Sequence, residues 1–428
     1  MTLFVPDPVL LSSPRRRPFP GPDPRPRTGP PPATADVVVV GSGPAGLSVA
    51  SALWHRDVRD VVLLDPADRP CGQFLDRVDG LDQRVLRSPY QHHPGVEGYR
   101  DCELLDFARL HWSRLTAVER REIRMAQAGH RSVVPVDVFE AFCRHVADVH
   151  HVTERTWRTT ALAVEPADGS VVVRTAAGPV EARCVVLALG ERTRPAPAGW
   201  GARTLPGVYR WDEPAPATGS VAVVGAGLTA AHLLAAALDA GREAHWVLRE
   251  DAERYQCSDV NAAFFRAEGR ARFGAEVSWA DRGALMRRHR RASIMFEFRP
   301  LLTAAEASGQ LRVHRGRTVD GLADGPAVLL AGGDRVAADS VVLALGTVPS
   351  IGTGLLPDGA VGARDGWPDL DEPTLSYRRA PAVFAVGAAA AMVLGPAARN
   401  IDGHRVATAR VAGAIAARVR TPVGVGHV

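Results

Sequence analysis

The sequence predicts an α/β protein built from two related dinucleotide-binding folds of the Rossmann type, and three observations predict it. The β-branched run Val37-Val38-Val39-Val40 leads into the glycine turn Gly41-Ser42-Gly43-Pro44-Ala45-Gly46 and an apolar helical stretch. The same order recurs at Val221-Ala222-Val223-Val224, followed by Gly225-Ala226-Gly227-Leu228-Thr229-Ala230 and a second helix. Each unit is later closed by the same six letters, Val-Val-Leu-Ala-Leu-Gly, at 185–190 and again at 341–346. Strand, glycine turn, helix and closing strand repeated in order mark an internal repeat of a whole domain.

Residues 1–34 hold eleven prolines and no hydrophobic periodicity, and are expected to form a disordered or polyproline-like tail. Arg15-Arg16-Arg17 resembles a twin-arginine signal, but prolines at 18, 20, 22, 24 and 26 stand where an apolar segment is required, so export is not expected. Order is expected from Asp36, in a domain running over 35–212. In its glycine turn, Gly41 permits the tight bend, Gly43 lets a pyrophosphate approach the backbone, and Gly46 lets helix and strand pack closely. The helix N-terminus offers free N–H groups to the phosphates. The next strand, Val61 to Leu64, ends at Asp65, 19 residues after Gly46, where a carboxylate can accept hydrogen bonds from a ribose.

The second domain is expected over 213–350, with a helical insert at about 252–312. At the position matching Asp65 it carries Arg249, which favours a 2′-phosphate and hence NADPH, with NADH as the alternative because Glu250 and Asp251 follow directly. Residues 351–428 then remain.

Composition excludes several classes. The 428 residues contain no lysine, so all 51 basic residues are arginine, and Schiff-base or Walker-lysine chemistry is ruled out. The tail has five arginines and two aspartates, which leaves the rest of the chain nearly neutral within a net charge of +4. Nucleic acid is therefore not an expected partner. No apolar run is long enough for a transmembrane helix. The five cysteines, Cys71, Cys102, Cys143, Cys184 and Cys257, form no C-x-x-C and no zinc spacing, and read as reduced thiols of a cytoplasmic protein. No metal site is expected.

The order GSGPAG, ALG, GAGLTA, ALG, then Val383-Phe384-Ala385-Val386-Gly387, resembles the two-dinucleotide-domain flavoproteins, which include disulfide reductases and class B flavin monooxygenases. The resemblance spans about residues 36–428. It implies FAD on the first domain, NADPH on the second, and a flavin domain split in sequence and completed after about 350. Cys71 lacks a partner at disulfide-reductase spacing, which disfavours that branch. The stretch Cys71–Gly95 sits where monooxygenases of the family line the flavin ring, and Arg120–Val146 resembles their segment of a proline followed by an amphipathic helix. Of these, the lysine/ornithine N-hydroxylase-like group is the nearest, with Asp259, Asn261, Phe264 and Phe265 resembling an asparagine-containing turn of its insert. The resemblance implies that NADPH reduces FAD, that O₂ is activated as a C4a-peroxide, and that a small nucleophilic substrate, an amine by analogy, takes one oxygen. A flavin reductase without oxygen insertion and a degenerate dinucleotide-binding regulator are the alternatives. Oligomeric state is not legible.

One departure stands out. The family's aspartate, which binds the flavin ribityl chain, follows the motif glycine by one position. Here Gly387 is followed by Ala388-Ala389, and Asn400 or Asp402 could take the role. Gln73 is a further candidate FAD contact. His92 (with His93), Asn261 and Asn400 are the candidate flavin- or substrate-facing residues. The run Arg287-Arg288-His289-Arg290-Arg291 reads as a solvated helical face or as a holder of an acidic substrate or partner.

Overall fold

The computed structural model describes residues 23–420, with Phe19 and Gly21, apart from 97–102, 131, 202–204, 257–266 and 277. Two sheets organise them, the first mixed around a parallel core and the second wholly parallel. The first begins with β1 (Thr34–Val40), which passes through the glycine turn into α1 (Pro44–Trp54) and returns as β2 (Val61–Asp65). β1 lies between β2 and the strand Gly178–Leu187, both parallel to it, so that Val39 faces Leu63 on one side and Val186 on the other. A central parallel strand is covered on both faces, and Val37–Val40 is accordingly a continuous buried run rather than an alternating one.

The second sheet is ordered Val208–Arg210, Ser340–Leu343, Val221–Val224, Ala244–Val247 and Leu311–His314, all parallel. Val221 and Val223 point into one core while Ala222 and Val224 point into another on the opposite face, the period-two alternation of a strand buried on both sides. Each VVLALG run supplies the strand beside the glycine turn of its sheet. An antiparallel meander precedes each closing strand: Ala161–Pro166 with Val171–Thr175 in one case, Val319–Ala323 with Ala327–Leu330 in the other.

The chain comes back to the first sheet at its end. Ala380–Ala385 pairs parallel with the Gly178–Leu187 strand, and the C-terminal helix Ile401–Arg420 packs on α1. Between the sheets, Glu191–Thr193 and Thr347–Pro349 pair antiparallel. These are the residues directly after the two closing glycines, so both crossings between sheets share one short ribbon.

Two expectations are corrected. The tail is not free up to residue 34. The Arg27 N–H donates to the Thr156 carbonyl, the Arg158 N–H donates to the Arg27 carbonyl, and Pro26 and Pro31 are buried. Proline lacks an N–H and cannot extend a sheet, but Arg27 supplies one at the sheet edge, and its guanidinium lies over the Trp157 ring. The segment 252–312 is not a helical insert throughout. Helices Ala267–Ala275 and Trp279–His289 place Phe273, Leu285 and Met286 in the first core, but Arg299–Ser308 packs in the second core and Leu311–His314 is an edge strand. Alternation over only four residues, Leu311-Arg312-Val313-His314, is too short to distinguish a strand from a helix end.

Among the described residues no helix is long and apolar enough to cross a membrane, and no cluster of side chains could hold a metal ion. Cys71, Cys143 and Cys184 are free and buried.

Several histidines are buried where burial disfavours their charge. Burial lowers the pKa of His93 to about 3, and those of His150 and His232 to about 4, from an ordinary 6.5. The unfolded chain takes up these protons below pH 6.5 and the folded protein resists them. Stability is therefore complete above pH 6.5 and declines as pH falls toward 4. Urea midpoints measured from pH 7.5 to 4.5 should fall over that window, and His232→Leu should make the fall shallower. A midpoint independent of pH across the window would contradict the assignment.

Candidate functional site

The two glycine turns face one cleft of about 2450 Å³. Each turn is built by close backbone approach. Gly41 has φ +103, and a Cβ there would sit 2.5 Å from the Ala188 carbonyl oxygen; Gly225 has φ +139, and its Cβ would sit 2.2 Å from that of Ala344. Ala188 and Ala344 belong to the two VVLALG runs, so each repeated hexamer forms the floor of its own turn. Gly46 has a separate task, because a Cβ on it would lie 1.9 Å from the Gly41 carbonyl oxygen.

Gly43 and Gly227 differ from these. Each precedes a helix, and nothing lies within 4 Å of where its Cβ would stand. Neither α1 nor the helix Leu228–Asp239 has a side-chain cap or an acidic residue in its first turn. Two helix N-termini therefore present unpaired N–H groups and the positive end of the helix dipole to the same space, beside an opening where a side chain would otherwise stand. That arrangement fits a dinucleotide pyrophosphate at each turn.

Asp65 lines the cleft, and its carboxylate also braces the first turn. Oδ2 accepts from the Ser42 N–H at 2.6 Å and Oδ1 from the Ala67 N–H at 2.8 Å. A carboxylate has about four acceptor positions, so capacity for a ribose remains. In the second turn, the Trp246 indole donates to the Gly225 carbonyl at 2.7 Å.

Most of the expected site residues come together on the cleft wall. Gly41, Gly43, Pro44 and Ala45 line it, while Ser42 and Gly46 lie buried behind. Gly225, Ala226, Gly227, Leu228 and Thr229 line it, as do Gln73, Arg249, Gly387 and Asn400. The Arg249 side chain is 81% exposed and, among the described residues, pairs with Glu250 at 3.8 Å. His92 is not brought to the cleft. It is buried with Nε2 3.9 Å from the Asp402 carboxylate, and Asp402 also accepts from Arg405 in an ion pair at 3.2 Å. This corrects the reading of His92 as flavin- or substrate-facing, and between Asn400 and Asp402 it leaves Asn400 on the cleft. The reason is helical phase: Asp402 is two residues on, on another face of the C-terminal helix. Asn261, with Asp259, Phe264 and Phe265, lies outside the described residues.

Sequence reasoning missed three contributors. Arg317 lines the cleft beside Arg249, its N–H donating to the Leu248 carbonyl and its guanidinium paired with Asp334. His404 stands one helical turn after Asn400, its own N–H donating to the Asn400 carbonyl. Glu191 is the third. Its carboxylate accepts from Arg290 at 3.3 Å, from Arg399 at 2.7 Å and from Thr347 at 3.0 Å, and its carbonyl accepts from Arg77 at 2.9 Å. Burial, then the neighbouring charge of Arg399, lowers the Arg290 pKa to about 10. Arg290 belongs to the basic run at 287–291, in which Arg287, Arg288 and Arg291 are exposed to solvent, and Arg287, His289, Arg290 and Arg291 also line the cleft. A residue following Val-Val-Leu-Ala-Leu-Gly was the only available signal for Glu191.

The chain matches the pyridine nucleotide-disulphide oxidoreductase family over residues 35–416 and belongs to that family. A stretch of 62 residues is 47% identical to a menaquinone reductase of Mycobacterium tuberculosis, and that match covers only 14% of this chain and 14% of the reductase. An ornithine N-hydroxylase from Kutzneria sp. 744, in a structure with reduced FAD, NADP+ and L-ornithine, aligns over 90% of this chain and 99% of its own, with TM-score 0.71 and 18% identity. The bacillithiol disulfide reductase of Bacillus cereus aligns over 90% and 99%, with TM-score 0.61 and 15% identity. At such identities the likeness is one of fold.

Gly43 and Gly46 should separate binding from folding. Gly46→Ala forces a clash with backbone and should cost about 1–3 kcal/mol of stability, read by denaturant unfolding. Gly43→Ala meets no neighbour, so it should leave the unfolding midpoint unchanged while weakening dinucleotide binding. Equal loss of stability in both would show that the open space at Gly43 is not a ligand approach.

Proposed function

We propose that the chain is an FAD-dependent, NADPH-using monooxygenase that hydroxylates a small nucleophilic substrate with O₂, an amine being the favoured class. FAD is assigned to the first glycine turn, in a domain split in sequence over 35–212 and 351–428, and NADPH to the second, over 213–350. The observation that carries the reading is the pair of uncapped glycine turns opening on one cleft. Family membership supports a two-nucleotide oxidoreductase, and the fold likeness to ornithine N-hydroxylases supports the amine.

When bound, FAD supplies the redox chemistry, accepting hydride equivalents and activating oxygen. The protein's residues bind, orient and exclude water. The N-termini of α1 and of Leu228–Asp239 hold the two pyrophosphates, Asp65 accepts from a ribose, and Arg249 with Arg317 holds a 2′-phosphate. Among the described residues no cysteine lines the cleft, which counts against a dithiol relay of the disulfide-reductase kind. The 62-residue likeness to a menaquinone reductase favours the second reading, a reductase that passes electrons on without oxygen insertion.

An absorption spectrum of the purified protein, followed by NADPH in air with and without amines, tests the proposal. Flavin bands that bleach and recover, with NADPH use matched to hydroxylated amine, are the expected result. Bleaching with peroxide release or quinone reduction and no hydroxylated product would favour the reductase. A protein that neither holds nor takes up flavin would overturn both.

For the nucleotide, Arg249→Ala and Arg317→Ala should each lower kcat/KM for NADPH by about ten-fold while leaving NADH nearly unchanged, as expected for loss of a charge-assisted contact. A constant ratio between the two nucleotides in both variants would remove these arginines from the site. Asp65→Ala should weaken FAD retention, measured as flavin bound per protein after gel filtration.

A further inference from the structure

The aspartate that the family sets after the motif glycine is absent, and the space beside it is not empty. Gly387 has φ +70, and the His404 Nε2 lies 3.6 Å from where a Cβ on Gly387 would stand; the Ala45 Cβ lies 3.9 Å from the same point. Ala45 is in the first turn of α1, so His404 reaches the mouth of the first glycine turn from the C-terminal helix. It lines the cleft, as do Ala388 and Asn400.

Two buried polar atoms here lack partners. The His404 ring makes no hydrogen bond among the described residues, and its Nδ1 is buried; the Asn400 Nδ2 is likewise buried and unpaired. A buried polar group left without a partner is costly, and such groups in folded proteins are normally satisfied. Burial also keeps the imidazole neutral, lowering its pKa to about 4 against a smaller opposing effect of the Glu191 charge. A neutral imidazole offers one donor and one acceptor, and the Asn400 amide adds a donor. That set suits a polyhydroxylated ligand chain, whose hydroxyls both give and accept hydrogen bonds.

We propose that His404, assisted by Asn400, replaces the missing aspartate as the hydrogen-bonding partner of the FAD ribityl chain. This rests on the assignment of FAD to the first glycine turn. It supplies from helix Ile401–Arg420 a contact that the 3-10 turn Gly387–Ala390 no longer provides, and it does so without a negative charge.

The test is FAD affinity of the apoprotein, read by quenching of flavin fluorescence on titration, for wild type, His404→Ala, His404→Gln and His404→Ala combined with Ala388→Asp. His404→Ala should bind FAD about five- to ten-fold more weakly, the worth of one or two hydrogen bonds. His404→Gln should stay within about two-fold of wild type, because its amide still donates and accepts. Returning the carboxylate with Ala388→Asp should recover most of the loss. An unchanged affinity in His404→Ala would overturn the proposal, and so would equal weakening in the Ala and Gln variants, since bulk rather than hydrogen bonding would then be at work. Wild-type apoprotein that binds no FAD would instead overturn the cofactor assignment beneath it, so the two failures are distinct.

Discussion

The carboxylate of Glu191 joins parts of the chain that are far apart in sequence. It takes hydrogen bonds from Arg290 at the C-terminal end of the helix Trp279–His289, from Arg399 just before the C-terminal helix, and from Thr347 after the second closing glycine. It sits on the ribbon of Glu191–Thr193 and Thr347–Pro349 through which both sheets are connected. The relative placement of the two glycine turns depends on this short ribbon and its side-chain ties. Three positively charged or polar donors on one half-buried carboxylate form a network whose members support one another, and losing the acid would leave two arginines facing each other.

The glycine turns themselves rest on a backbone constraint. In both units the first glycine packs against the carbonyl of the one alanine in VVLALG, Ala188 or Ala344, and only a residue without Cβ and tolerant of positive φ allows it. This explains why the hexamer recurs with the turn. Strand, turn and floor are one packing solution used twice. The second glycine of each motif carries no such steric burden, so its absent side chain is free to serve a ligand. Steric need and open space thus separate structural from binding glycines within a single motif.

Charge is distributed around the cleft with the same economy. A chain without lysine relies on guanidinium groups, which fork to two acceptors and pair with carboxylates across segments. Arg282 illustrates the structural use: it donates to Glu372 at 2.6 Å and to the Met392 carbonyl at 3.2 Å, tying the helix Trp279–His289 to the returning C-terminal segment. Arg249 illustrates the other extreme, extended and exposed at the strand end. The basic run at 287–291 contains both kinds, with Arg290 held by Glu191 and Arg287 and Arg291 exposed on the cleft wall.

What the sequence by itself determined is local: the two strand–glycine–helix units, the closing hexamers, Asp65 and Arg249 at the strand ends, and the return of Val383–Val386. Each is written in a few consecutive residues, where β-branching, glycine and spacing act directly on the backbone. The edge strand Leu311–His314 and the docking of Arg27 at a sheet edge were not legible, because each depends on a partner strand brought from elsewhere. The same holds for the side chains of the site. His92 and Asp402 face one another rather than the cleft, while His404, Arg317 and Glu191 reach it from distant segments. Their positions follow from helix phase and from which strands become neighbours, and only the tertiary structure decides those, because contacts across the cleft join residues that no local pattern relates.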